Sequence, residues 1–174
     1  SRVLKHVKGL TVDLGCGAGQ ILKCLPPGSI GIEDNPYLIE HLTRQGLPVI
    51  RAAEHKGFDL SALQPHRFTT LVLSHVLEHF AEADRILSQL LQDCARLEIS
   101  RVIVVVPGMA GFNSDPTHKT FIDWEYLCSH KMLEREGYTI VHRSYFPGNA
   151  QFLGKLFTYH EMMIIYDRKN NCLA

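Results

Sequence analysis

The sequence has no long apolar run, no net charge and no paired cysteines. Its longest apolar stretches, such as Val102 to Val106, fall far short of the ~20 residues that span a bilayer, so no membrane segment is expected. Lys and Arg total 18 and Asp and Glu total 18, a formal net charge of zero. That balance removes any bulk electrostatic case for nucleic acid or an anionic membrane as partner. The cysteines at 16, 24, 94, 128 and 172 form no CxxC pair and no metal-finger spacing, which predicts a reduced, cytoplasmic chain. No repeat, low-complexity tract or linker divides the chain, so one domain over 1–174 is expected, with one sizeable core. Ser1-Arg2-Val3-Leu4-Lys5 lacks the apolar core of a signal peptide. Because the chain begins at Ser1 and not at a Met, this end says nothing more about targeting.

What is present is organised around Val12-Asp13-Leu14-Gly15-Cys16-Gly17-Ala18-Gly19. Apolar residues lead into three glycines at alternate positions, and Ala18 to Leu25 has helical spacing before Pro26-Pro27-Gly28. The pattern predicts a buried strand, a tight turn and a helix whose N-terminus offers unpaired N–H groups to a ligand. Alone, such a turn is also found as a plain connection. The next strand sharpens the reading. Ser29-Ile30-Gly31-Ile32 runs into Glu33-Asp34-Asn35, which places Glu33 about 18 residues past the glycines, where an acidic side chain accepts both hydroxyls of a ribose.

The rest of the chain alternates. A helical tail over 3–8 leads into a first strand over 10–14, and a helix over 36–45 is closed by Gly46. A short third strand over 47–51, an irregular 52–66 and a fourth strand over 68–74 follow. Ile86, Leu87, Leu90, Leu91, Cys94, Ala95 and Leu97 put one apolar face on a helix over 82–97. The fifth strand, 101–106, is a near-continuous apolar run after Arg101, as in a strand covered on both faces. A long loop over 107–120, a helix over 123–136 stopped by Gly137, and strands over 138–146 and 157–167 complete the chain. Strands separated by helices predict a doubly wound, mainly parallel α/β sheet with helices on both faces. The short gap between the last two strands predicts an antiparallel C-terminal hairpin.

Three stretches together, Val12 to Gly19, Gly31-Ile32-Glu33-Asp34-Asn35 and Leu73-Ser74-His75-Val76-Leu77-Glu78-His79-Phe80, resemble the motifs of class I (Rossmann-like) S-adenosylmethionine-dependent methyltransferases. The resemblance covers nearly the whole chain. It implies a seven-stranded sheet and S-adenosylmethionine as cofactor. It also implies that Asp13, Gly15 and Gly17 hold the methionine portion, that Glu33 holds the ribose, and that Ala53-Glu54 frames the adenine, with Cys16, Gly19 and Asp34 among the cofactor-binding residues. Ser74 and His75, with the segment to Leu77, would line the transfer centre. Ala52 stands where the family often carries an Asp toward the adenine amino group. A dinucleotide fingerprint starting at Gly15 would need its third glycine at Gln20, and Gly19 comes one residue early, which disfavours NAD.

Methyl transfer from a sulfonium asks mainly for alignment and exclusion of water. A base is needed only where the nucleophile holds its proton tightly. His79 and His118 are the candidates for that role, the competing reading being that Glu78 and His79 only cap and brace the loop. His75-x-x-Glu78-His79 matches an inverted zinc-peptidase motif, but His75 ends a strand and the motif needs a continuous helix. The segment is also similar to the Glu-x-x-Glu-His of some metal-assisted methyltransferases of RNA ribose or catechols. His75, Glu78, His79 and His118 would then suit a borderline transition metal better than magnesium. A lid would come from 107–122 or 146–159, with Phe112, Phe121, Trp124, Tyr145, Phe146, Phe152 and Phe157 available for an apolar pocket or for the core. The expected function is methyl transfer to an O or N nucleophile of a small-molecule acceptor. The alternatives are a catalytically silent S-adenosylmethionine-binding module or scaffold, and a metal-assisted O-methyltransferase of RNA or a catechol.

Overall fold

The computed structural model describes residues 2–52, 60 and 63–169. Eight strands form one sheet: β1 (Thr11–Leu14), β2 (Ile30–Glu33), β3 (Val49–Arg51), β4 (Thr70–Ser74), β5 (Arg101–Pro107), β6 (Glu134–Arg135), β7 (Tyr138–Phe146) and β8 (Glu161–Arg168). Their spatial order is β3-β2-β1-β4-β5-β8-β7-β6. The first five pair parallel, and β8 returns antiparallel between β5 and β7. From β1 the chain steps outward through β2 to β3, then comes back to β4 on the other side of β1. The order therefore reverses between β1 and β4, whose carboxyl ends open the crevice where ligands of such sheets bind.

Alternation along the strands divides the core. Val12, Leu14, Leu71, Leu73, Val102, Val104 and Val106 share one cluster with Leu87, Leu90, Leu91, Cys94 and Leu97 of α2 (Ala83–Leu97). Val72, Ile103 and Val105 lie in a second cluster, covered by Val3 and flanked by Val7, Ile21 and Phe146. Leu42 of α1 (Pro36–Arg44) packs with Cys16 and Leu22 in a third. Fully burying each leucine of these sets contributes about 1.5–3 kcal/mol. The closing strand is fastened by Arg101, whose Nε and Nη2 donate to the two Asp167 oxygens at 2.7 and 2.6 Å, while Nη1 donates to the His6 carbonyl.

Two predicted helices differ from the observed chain. In place of a helix over 18–25 there is only a 3-10 turn at Leu22–Cys24. Gly19 has φ +76°, outside the helical region, and Leu25, the residue before Pro26, is forced extended at ψ 159°. Too few residues remain between them for a helix, so the turn presents no helix dipole to a ligand. The helix expected over 123–136 stops at Ser129 as α4 (Trp124–Ser129). Glu136 and Gly137, both at positive φ, instead make the two-residue turn of a hairpin between β6 and β7. That hairpin adds the eighth strand. The long loop after β5 contains a short helix, α3 (Met109–Asn113), and the last strand begins at Glu161, after a 3-10 turn at Gln151–Lys155. No helix among the described residues is long and apolar enough to cross a membrane.

Candidate active site

At the carboxyl ends of β1 and β4, a cavity of about 290 Å³ is lined by Asp13, the turn from Gly15 to Ala18, Gln20, Ile21, Ser74 and His75. Asp13 is 2% exposed, and burial pushes its carboxyl up to about 7 against the opposing hydrogen bond from the Leu22 backbone. Its Oδ2 has no partner, so the cavity floor carries an acceptor in need of a donor. Gly17, at φ +53°, faces open space where a Cβ would stand. Its N–H donates to Glu33 Oε2 at 2.7 Å, while the Asp34 and Asn35 N–H groups donate to Oε1 at 3.1 and 3.0 Å. The acidic group at the end of β2 thus clasps the glycine turn from beside the cavity.

Other expected cofactor residues are placed differently. Cys16 borders the cavity, its side chain packs with Leu22 and Leu42, and burial pushes its thiol up to about 12. Gly19 is outside the lining, and a Cβ there would stand 2.6 Å from Leu42 Cδ2, so its role is close packing against α1. Asp34 is exposed. Ala53, with Glu54, lies outside the described residues.

A second cavity of about 270 Å³ shares Gln20, Ile21, Ser74 and His75 with the first and adds Val3, Val105, Phe146 and Glu161. His75 stands between the two with φ +57°. Its Nε2 is 2.7 Å from Glu161 Oε1 and its Nδ1 is 3.2 Å from Glu78 Oε1. Burial disfavours the imidazolium, but the bonds to Glu161 and then Glu78 outweigh it and raise the pKa to about 9. Sequence reasoning did not reach Glu161; the signal available was an acidic residue opening an otherwise apolar last strand.

Behind His75 lies a third group. Glu78 is fully buried, and its carbonyl accepts the Lys119 and Thr120 N–H groups at 2.7 and 3.1 Å. This anchors the loop that carries His118 against the turn that carries His79, bringing the two rings 4.9 Å apart, edge to face. Neither His79 nor His118 lines either cavity. Of the aromatic residues proposed for a pocket, Phe146 lines the second cavity, and Phe121 and Tyr145 line a separate one of about 300 Å³. Trp124 lies under the Arg143 guanidinium, Phe112 is stacked on His118, and Phe152 and Phe157 are exposed.

The reversal of strand order at β1 and β4, the glycine turn held by an acidic β2 terminus and the antiparallel closing strands define the Rossmann-like fold of class I S-adenosylmethionine-dependent methyltransferases. Within that class, residues 2–114 match the model of the family described as "Methionine biosynthesis protein MetW", and the chain belongs to this family. No curated protein matches the sequence. Among solved structures, the chain is similar to a SAM-dependent methyltransferase from Archaeoglobus fulgidus, at 19% identity and TM-score 0.70, over 96% of this chain and 90% of that one. It is also similar to magnesium protoporphyrin IX methyltransferase from Synechocystis PCC 6803, solved with bound SAH, at 16% identity and TM-score 0.63, over 96% and 78% of the two chains. A putative type 11 methyltransferase from Sulfolobus solfataricus matches at 14% identity and TM-score 0.64, over 99% and 91%.

Proposed function

We propose that the chain is an S-adenosylmethionine-dependent methyltransferase acting on an O or N nucleophile of a small-molecule acceptor. The observation that carries this reading is the pair of cavities that share Gln20, Ile21, Ser74 and His75 as lining at the strand-order reversal. The first fits the cofactor: the unpartnered Asp13 Oδ2 matches an amino-acid ammonium, and the space over Gly17 lets a ligand approach the backbone. Bound S-adenosylmethionine supplies a methyl group already activated on a sulfonium, so the protein's part is alignment and dryness.

The second cavity is the acceptor side. At about 270 Å³ it suits a small molecule, with Val3, Ile21, Val105 and Phe146 excluding water and Glu161 and His75 supplying the polar contacts. With the His75 imidazolium favoured by its bonds to Glu161 and Glu78, Glu161 is the carboxylate on this cavity that would accept a hydrogen bond from the O–H or N–H of the acceptor and orient it. His79 and His118 stand one layer back, apart from both cavities.

A second reading, a silent cofactor-binding module that docks on a partner, is favoured by one observation. Phe152, Leu156, Phe157 and Tyr159, in the segment between β7 and β8, are all more than half exposed. Calorimetry with S-adenosylhomocysteine, NADH as control and Glu33→Ala as probe tests the cofactor. Micromolar binding weakened about tenfold by the substitution, near 1.4 kcal/mol, supports it. No binding, or preference for NADH, overturns both readings. Cofactor binding without product across an acceptor screen favours the module.

A further inference from the structure

We propose that Glu78, His79 and His118 form a binding site for a divalent transition-metal ion of the zinc class, a site that stands independently of the methyl-transfer reading. One donor atom from each of the three lies within 4.8 Å of the others. The decisive observation is the state of Glu78. Its side chain is 0% exposed, its Oε2 has no hydrogen-bond partner, and its Oε1 has the His75 imidazolium at 3.2 Å as its ion-pair partner. A carboxylate withdrawn from water is retained when it is paired or ligates a metal. His75 is shared between Glu78 Oε1 and Glu161, so one buried oxygen of Glu78, Oε2, is left for a ligand.

The two imidazoles are set up as ligands by their outer partners. His118 Nδ1 is 2.9 Å from the Phe112 carbonyl oxygen, which can only accept, so Nδ1 carries the proton and Nε2 the lone pair. His118 Nε2 lies 4.0 Å from Glu78 Oε1 and 3.9 Å from Asp115 Oδ2. The gap to Glu78 is too long for a hydrogen bond, and a shift of less than about 1 Å brings the two atoms to the roughly 3.4 Å separation of tetrahedral ligands with bonds of about 2.0–2.1 Å. For His79, the Thr117 hydroxyl donates to Asp115 Oδ1 at 2.6 Å and so accepts from His79 Nδ1 at 3.1 Å. His79 Nε2 is therefore its lone-pair nitrogen as well. A carbonyl behind one ligand and a hydroxyl–carboxylate relay behind the other are what orient metal-bound histidines. Two imidazoles and one carboxylate select zinc or a neighbouring first-row ion over magnesium or calcium.

The test is calorimetric titration of the chelator-treated full chain with Zn²⁺ alone, with Co²⁺ absorption as a second readout of imidazole ligation. One equivalent of Zn²⁺ is expected to bind. Glu78→Gln and His118→Ala should each weaken it at least 100-fold, and Thr117→Val, which cuts only the relay, by about 10–100-fold. His130→Ala, on an exposed histidine outside the cluster, should leave it unchanged. Melting curves and S-adenosylhomocysteine binding on the same samples show whether each variant is folded, and His79→Ala replaces Glu78→Gln if the latter is not. Absence of stoichiometric Zn²⁺, binding of Mg²⁺ in its place, or Zn²⁺ affinity unchanged in folded His118→Ala overturns the proposal and leaves the cluster as an ionic brace. Loss of the metal with cofactor binding intact leaves the methyltransferase reading standing.

Discussion

The Gly17 N–H donates to Glu33 Oε2 at 2.7 Å, so the glycine turn after β1 and the end of β2 are a single unit. Three backbone N–H groups rest on this one carboxylate. Glu33→Ala leaves them without it. Asp34 and Asn35 are exposed and Gly17 half-buried, so water takes over part of the loss, and the net cost is that of one or two ordinary hydrogen bonds, about 1 kcal/mol. The substitution should therefore lower the unfolding free energy measured by urea titration by about 1 kcal/mol, in addition to its tenfold effect on S-adenosylhomocysteine. A weakened cofactor with an unchanged midpoint would show that the clasp is absent in solution.

Two glycines of the turn separate binding from stability. A Cβ on Gly17 meets nothing within 4 Å, whereas one on Gly19 stands 2.6 Å from Leu42 Cδ2 and 3.3 Å from Leu47 Cδ1. Both have positive φ, which costs a residue with a Cβ about 1–2 kcal/mol. Gly17→Ala should add only that strain but place a methyl in the cofactor cavity, reducing affinity at least tenfold. Gly19→Ala adds overpacking, about 1–3 kcal/mol more, and should chiefly lower the melting temperature. Equal effects on binding and melting in the two variants would contradict this division.

What the sequence reveals follows the range of the forces involved. The apolar run of β5 and the one-sided pattern of α2 are local, and both elements stand where periodicity places them. The helix expected after the glycine turn fails because Gly19 and Pro26 bound too short a segment, a constraint visible only once the Gly19 backbone is known. Gly137 reads as a helix stop but works as the second residue of a hairpin turn, because a lone Gly marks both. In the site, Asp13, Gly17 and Glu33 are announced by motif spacing. The His75–Glu161 pair spans 86 positions, and the complete burial of Glu78 depends on a loop some 40 residues downstream, so neither leaves a local pattern.

The Arg101–Asp167 pair should report on the closing strand. The Asp167 carboxyl is held below its ordinary range, chiefly by its hydrogen bonds to Arg101. A depressed carboxylate adds stability above its unfolded pKa and loses it as pH falls through the folded value. Asp167→Asn should cost about 1.5–3 kcal/mol at pH 7, the range for hydrogen bonds to charged groups. The gap from wild type should close on acidification toward pH 2. A constant gap across the titration would assign the loss to packing.

Asp13 should behave in the opposite sense. Burial raises its carboxyl from 3.8 to about 7, so between these values the folded chain holds a proton that the unfolded chain has released. The stability associated with the protonated form is complete below pH 4 and is lost as pH rises to 7 and beyond. The interval of about three pH units sets a ceiling of about 4 kcal/mol. In the ligand-free protein, Asp13→Asn should flatten this decline and melt higher than wild type at pH 8. Cofactor binding reverses the balance, because an ammonium seated on Asp13 requires the carboxylate. S-adenosylhomocysteine should bind more tightly as pH rises from 6 to 7.5, by up to tenfold per unit below 7, and should release a proton at pH 6. Calorimetry at pH 6 in two buffers of different ionisation heat measures that proton directly. If the heats agree after buffer correction with no proton released, Asp13 is not the group that meets the methionine tail.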